Sequence, residues 1–214
     1  MRRYRMQGYL WGLLLALGLL LCSSPSAKAG EPVDPMDLMK RNSDQILKIL
    51  KDPDLKAKSK EPEKRLLLRK IADERFDWEE MARRCLAIHW AQRTPEERKE
   101  FVSLFADLLE RSYMGKIEGY KDEKIVFEKQ KIEGDYAVVE SIIVTERDVE
   151  VPINYRLRKK DSDWLIYDVS IEGVSLVNNY RTQFNNIITS SSYQELVKRM
   201  KTKRVQELTS SSQK

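Results

Sequence analysis

The chain has 214 residues, of which 39 are basic and 34 acidic, with 41% hydrophobic residues, two cysteines and one histidine. Taking away residues 1–29 removes four bases (Arg2, Arg3, Arg5 and Lys28) and no acid, so 35 bases then face 34 acids. A nearly neutral remainder of one-domain size gives no support to nucleic-acid binding, and its one cysteine, Cys85, excludes an internal disulfide.

The amino terminus has the three parts of a secretory signal. Arg2, Arg3 and Arg5 are followed by an apolar run from Leu10 to Leu21, too short for a permanent span, and then by Ala27-Lys28-Ala29, an A-x-A cleavage site. Leu21 before Cys22 is bulky where a lipoprotein signal needs a small residue, which favours cleavage before Gly30 over lipidation. The expected partition is a cleaved signal peptide at 1–29, one domain over 30–208 and a frayed polar tail at 209–214, with the product exported.

The mature chain opens with helices. Asp34 before Pro35 reads as a cap with proline in the first turn, and Leu38, Met39, Ile46, Leu47, Ile49 and Leu50 give an apolar stripe that ends near Asp52-Pro53. After a charged connection, Glu61-Pro62 predicts a second helix carrying Leu66, Leu67 and Ile71. Phe76 predicts a third, through Met81, Cys85 and Leu86. Thr94-Pro95-Glu96-Glu97 is a capping box, and Phe101, Phe105, Leu108, Leu109 and Tyr113 then line one face of a helix reaching about Gly119.

From residue 123 the hydrophobic period changes to two. Turn clusters at Glu133-Gly134-Asp135, Glu146-Arg147-Asp148 and 159–163 separate four strands. In the third, Val149, Val151, Ile153, Tyr155 and Leu157 alternate with polar residues, the signature of a sheet with one face on a core. A helix around Tyr180 to Ile188 follows, and the serines at 190–192 start a last one through Leu196, Val197 and Met200. Grouped helices and strands make the class α+β with antiparallel connections.

Few residues offer chemistry. Cys85 and His89, four apart, would share a helix face and are the one pair that could support a hydrolase, but no glycine-rich loop accompanies them to hold an oxyanion. A single histidine and a single mature thiol leave no metal-ligand set, and the phosphate-loop, dinucleotide and nucleophile-elbow motifs are all missing. These features predict no catalysis, no metal and no cofactor. What remains is apolar surface on two layers: Phe101, Phe105, Leu108 and Tyr113 on a helix, with Val151, Ile153, Tyr155 and Tyr167 on the sheet. Pattern alone does not separate a filled core from a hollow one.

Several landmarks fall in order along the chain. They are Phe76-Asp77-Trp78-Glu79-Glu80-Met81-Ala82, Thr94-Pro95-Glu96-Glu97-Arg98 with the following aromatic stripe, Trp164-Leu165-Ile166-Tyr167-Asp168-Val169, Glu172-Gly173-Val174-Ser175-Leu176-Val177, and Asn179-Tyr180-Arg181-Thr182-Gln183-Phe184. With this order and spacing the chain resembles the MlaC family of periplasmic phospholipid-binding proteins, also called the toluene-tolerance family, from about Asp34 to Lys203. One departure is Leu86-Ala87-Ile88-His89, where the family commonly carries a glycine.

The resemblance implies a helical layer wrapped around a curved antiparallel sheet of about four strands, enclosing an apolar cavity for acyl chains. The implied role is a phospholipid carrier that takes part in outer-membrane lipid asymmetry. It would work between an outer-membrane lipoprotein complex and the substrate-binding subunit of an inner-membrane ABC transporter, with bound phospholipid as cargo. A related branch is associated with hopanoid lipids. Carried over by position, Tyr113, Tyr167 and Val174 head the lipid-binding pocket, with Phe101, Phe105, Leu108, Val151, Ile153 and Tyr155 as further lining. A periplasmic interaction or scaffold protein with a filled core stays open as the alternative.

Overall fold

A computed structural model describes residues 33–202. The signal peptide at 1–29, the start of the mature chain at Gly30, the domain's end at 208 and the tail at 209–214 lie outside the described residues.

Helix α1 (Pro35–Lys51) starts where the sequence predicts, with the Asp37 amide donating to the Asp34 carboxylate at 3.0 Å and Pro35 in the first turn. Its amino-terminal half buries Leu38 and Met39, whereas Ile46, Leu47, Ile49 and Leu50 near its end are only half-buried. Two 3-10 turns, Pro53–Leu55 and Lys58–Lys60, lead to α2 (Glu61–Arg75), which buries Leu68.

The third helix does not begin at Phe76. That residue is extended and bridges in parallel to Ile166, because the Asp77 amide donates to the Ile166 carbonyl at 2.8 Å while the Asp77 carboxylate takes the Glu80 amide at 3.1 Å. Asp77 is therefore the cap and α3 runs Trp78–Leu86. A 3-10 helix, Ala87–Gln92, separates it from α4 (Pro95–Glu118), whose capping box is complete: the Glu97 amide donates to the Thr94 hydroxyl at 3.2 Å and the Thr94 amide to the Glu97 carboxylate at 3.0 Å.

Strands β1 (Lys124–Glu133), β2 (Tyr136–Val144), β3 (Glu150–Lys160) and β4 (Asp163–Ile171) form an antiparallel meander, and a fifth strand, β5 (Val174–Ser175), adds to β4. The turn between β4 and β5 is tight, with Glu172 at φ 49° and Gly173 at φ 81°, a backbone that matches the twist of paired strands. Strand order follows chain order, so β1 is a free edge. One irregularity interrupts β1 between Phe127 and Lys129, and a second falls in β3–β4 pairing between Arg156 and Leu157. Helix α5 (Leu176–Ser190) starts earlier than the apolar pattern suggests, because Ser175 caps it by accepting the Asn178 amide at 3.0 Å. Ser192 caps α6 (Tyr193–Lys201) in the same way.

The apolar interior has two parts. One is helical: Phe101, Phe105 and Leu108 of α4 pack with Met81 and Cys85 of α3, Tyr180 and Phe184 of α5, and Leu196 and Met200 of α6. The other joins Leu38 and Met39 of α1 to one face of the sheet, through Ala137, Val139, Leu157, Trp164, Ile166 and Val169. Opposite this face, buried polar groups tie helices to the strands. Arg158 donates to Asp77 at 2.6 Å, and Asp168 accepts from the Ser175 hydroxyl at 2.6 Å and the Val177 amide at 3.1 Å. Both carboxylates are buried, so each needs these donors to offset its lost hydration.

Candidate functional site

The register of the strands decides which side chains share a face. Val151 lies opposite Ile143, Ile153 opposite Ser141 and Ile171, and Tyr155 opposite Val139 and Val169. These residues alternate with Glu150, Asn154 and Arg156, so Val151, Ile153, Tyr155 and Leu157 all point to the face that α1 covers. Cover is unequal along that face. Leu157 is fully buried under α1 near the β1–β2 and β3–β4 turns, while Tyr155, Ile153 and Val151 are half-buried toward the β2–β3 turn. A band of apolar side chains is thus left partly open at one end of the sheet.

Tyr113 marks where the band meets the helices. It and Phe76 are the partly buried residues that pack against both apolar clusters, so they bridge a seam between the helical core and the sheet core. Burial pushes the Tyr113 phenol up to about 12, with the nearby Tyr180 phenol adding to the shift, so it stays neutral. The Lys116 ammonium sits 5.5 Å from the centre of the Tyr113 ring and places a cation at the outer end of the seam. Burial also raises the Tyr155 phenol, and the Ser141 hydroxyl beside it offsets part of that rise. The seam is therefore apolar and uncharged within, with a cation at its rim.

Of the nine side chains expected in the pocket, Tyr113, Ile153 and Tyr155 lie on this seam, with Val151 further along the same face. Phe101, Phe105 and Leu108 stand elsewhere. They are 0%, 0% and 2% exposed within the helical core, where Phe105 meets Tyr180 and Phe184 edge-on at centroid distances of 5.7 and 6.1 Å. Tyr167 is the extra residue of the β4 irregularity and turns to the opposite face, where its ring meets Tyr136 at 6.0 Å and the Arg84 guanidinium at 4.2 Å. Val174 is 57% exposed on the two-residue strand β5. Phe127 and Ile171 belong to the seam side and were not singled out from sequence. Their signal, a large apolar residue on the inward register of its strand, was present in the alternation.

Two surface clefts lie away from the seam. One, of about 290 Å³, is lined by Leu86, Ala87, Ile88, Arg181, Thr182 and Asn185. The other, of about 370 Å³, is lined by Glu79, Trp90, Pro95, Arg98, Lys99 and Val102. None of the nine expected residues lines either one.

Cys85 and His89 do not share a helix face, because α3 ends at Leu86 and Ala87 turns the chain at φ 47°, ψ −117°. The Cys85 thiol is 1% exposed, lies 3.7 Å from the Val177 carbonyl, and is pushed well above its ordinary range by burial and then by Asp168. The His89 ring pairs instead with Asn185 at 3.0 Å. A protonated, buried thiol suits packing, not nucleophilic attack. Among the described residues, no group of three or more His, Cys, Asp or Glu side chains is placed to hold a metal, and no helix is long and apolar enough to cross a membrane.

Comparison with known proteins bears on this geometry. The family model described as MlaC protein matches residues 40–202. The intermembrane phospholipid transport system binding protein MlaC of Haemophilus influenzae is 22% identical over 171 residues, covering 78% of this chain and 80% of that protein. A phospholipid-binding protein from Ralstonia solanacearum, solved in complex with a phospholipid, superposes with a TM-score of 0.72 at 25% identity, covering 81% of this chain and 98% of that one.

Proposed function

The chain belongs to the MlaC family, and from that membership and the seam we propose that it is a periplasmic carrier that holds phospholipid by its acyl chains. The observation that carries this reading is the half-open apolar band of Val151, Ile153 and Tyr155 facing a seam that Tyr113 bridges. Buried polar ties at Asp77 and Asp168 fasten the helices to the sheet away from this band, so a gap for acyl chains would open at the half-covered end, where Tyr113 and Phe76 bridge the two cores. Acyl chains lying in that gap would touch the sheet face on one side and the helices on the other, and the headgroup would stay near Lys116.

Energetics make a carrier necessary. Each methylene moved into water costs about 0.8 kcal/mol, so one chain of about sixteen carbons costs on the order of 12 kcal/mol. A protein that replaces the bilayer's apolar contacts makes the transfer nearly balanced. The docking partners then set its direction through their own affinities. The partners consistent with this role are the substrate-binding subunit of an inner-membrane ABC transporter and an outer-membrane lipoprotein complex. No covalent step is needed.

A second reading has an observation in its favour. Phe101, Phe105 and Leu108 lie in a filled core, as they would in a scaffold protein with no cargo. Solvent extraction of the purified protein followed by mass spectrometry separates the two readings. Phospholipid near one molecule per protein is the expected result. A preparation free of phospholipid or hopanoid that also fails to take up lipid from vesicles would leave the scaffold reading.

A further inference from the structure

We propose that the surface formed by residues 56–70 docks on an anionic phospholipid bilayer. This stretch carries seven basic side chains (Lys56, Lys58, Lys60, Lys64, Arg65, Arg69 and Lys70) against two acids, Glu61 and Glu63. The chain from Gly30 onward carries 35 bases and 34 acids, so outside this stretch 28 bases face 32 acids and the basic excess is local. Lys60 pairs with Glu63, Arg65 with Glu118, and Arg69 with Asp73, Asp107 and Glu110. The other four lysines, Lys56, Lys58, Lys64 and Lys70, have no carboxylate partner among the described residues.

Within this charge stand two apolar side chains that reach the surface. Leu66 is 70% exposed and Leu67 is 37% exposed, whereas the next residue, Leu68, is buried. Lys70 lies one turn beyond Leu66, and Lys64 three residues before Leu67, so lysines flank the leucines on the helix surface. Long lysine stems can lie along the leucines while their ammonium groups reach for phosphate. A convex helix bearing leucines and free lysines fits a yielding, negatively charged lipid surface. A folded acidic protein would need a matching recess for Leu66.

The position of this surface adds a second argument. Arg65 donates to both Glu118 oxygens, at 2.9 and 2.8 Å, which holds α2 against the carboxyl-terminal end of α4. Glu118 is five residues past Tyr113, about 7.5 Å along the helix axis. Docking through Leu66 and Leu67 would therefore bring the end of the seam close to the bilayer. The inference does not depend on what the seam holds.

Co-sedimentation with vesicles tests it. The chain from Gly30 onward keeps every residue of both cores and is the form to assay, at low salt, with mixed phosphatidylglycerol and phosphatidylcholine vesicles and with phosphatidylcholine alone. Binding is expected only to the phosphatidylglycerol vesicles, and it should weaken at 0.5 M salt as screening shortens the reach of the lysines (roughly 3 Å at 1 M). Each lysine near such a surface contributes about fivefold, so Lys64→Ala with Lys70→Ala should weaken binding about 25-fold, and Leu66→Ser by several-fold. These side chains make no ion pair, so circular dichroism should show all variants folded as the parent. Equal binding to both vesicles, no binding to either, or unchanged binding of the double variant overturns the proposal. Capture by polyglutamate but not by vesicles also overturns it, in favour of an acidic protein surface.

Discussion

Ala87 occupies a backbone region, φ 47° and ψ −117°, that L side chains rarely adopt, and it does so at the junction where α3 gives way to a 3-10 helix. The methyl group is exposed, so it contributes little packing to set against the strain. Glycine, with no Cβ to clash, is the residue that this backbone conformation favours. Ala87→Gly should raise stability by about 1 kcal/mol after the entropy of a freer unfolded chain is subtracted, a gain of roughly 2–4 °C in Tm. A lower Tm for that variant in thermal denaturation would show that the turn is not strained. Glu80 is the opposite case of a residue at ease in a costly place. Burial alone would raise its carboxyl, but hydrogen bonds from Arg83 and Arg84 overcome that cost and hold it down to about 2.

Among the elements, α2 is attached in a way that sets it apart. It buries one leucine, packs along α1, and is tied to α4 by Arg65 and Arg69, with Arg75 reaching Asp163 on the sheet. Polar contacts at a partly hydrated surface stabilise weakly and are screened by salt, so α2 should open before the helical core does. Arg69→Met keeps the stem but leaves Asp73, Asp107 and Glu110 without their shared cation. The variant should lose about 1–2 kcal/mol and show faster amide exchange in α2, with exchange in β2 and β3 unchanged. Uniform acceleration across the chain would mean that α2 unfolds with the rest. Elements with strong local signals were legible in the sequence: the caps at Asp34 and Thr94 lie within a few residues of their helices and mark their starts without tertiary context. Phe76 was misread as helical because its alternative partner, Ile166, is ninety residues away. β5 is too short for any period to announce it.

At the level of the whole molecule, alternation tells which face of a strand turns inward but not how well that face is covered. Ile153 and Leu157 look alike in sequence, yet one is half-open on the seam and the other sealed under α1. Tyr167 reads as part of the same alternation, and the single extra residue in β4 sends it to the other side. Ile153→Glu would put a carboxylate on the seam and should cut bound phospholipid at least tenfold at a folding cost of about 1–2 kcal/mol. Val174→Glu, on an exposed side chain, should leave lipid content unchanged. Phe105→Ala should cost about 3–5 kcal/mol in stability while the molecules that remain folded still load. Equal loss of lipid in the Ile153 and Val174 variants, measured by mass spectrometry, would move the site away from the seam.

The edge position of β1 carries a consequence for life in a crowded compartment. Its outer backbone groups offer a template for any strand that comes alongside, and a neighbouring copy is the nearest supply. Lys124, Lys129 and Lys131 fall along that rim, the break after Phe127 spoils its straightness, and the opposite rim is a strand of only two residues. A strand that comes alongside therefore meets charged side chains, two of them already engaged with Glu140 and Glu133, and mismatched spacing, which makes the rim a poor template for a neighbouring copy.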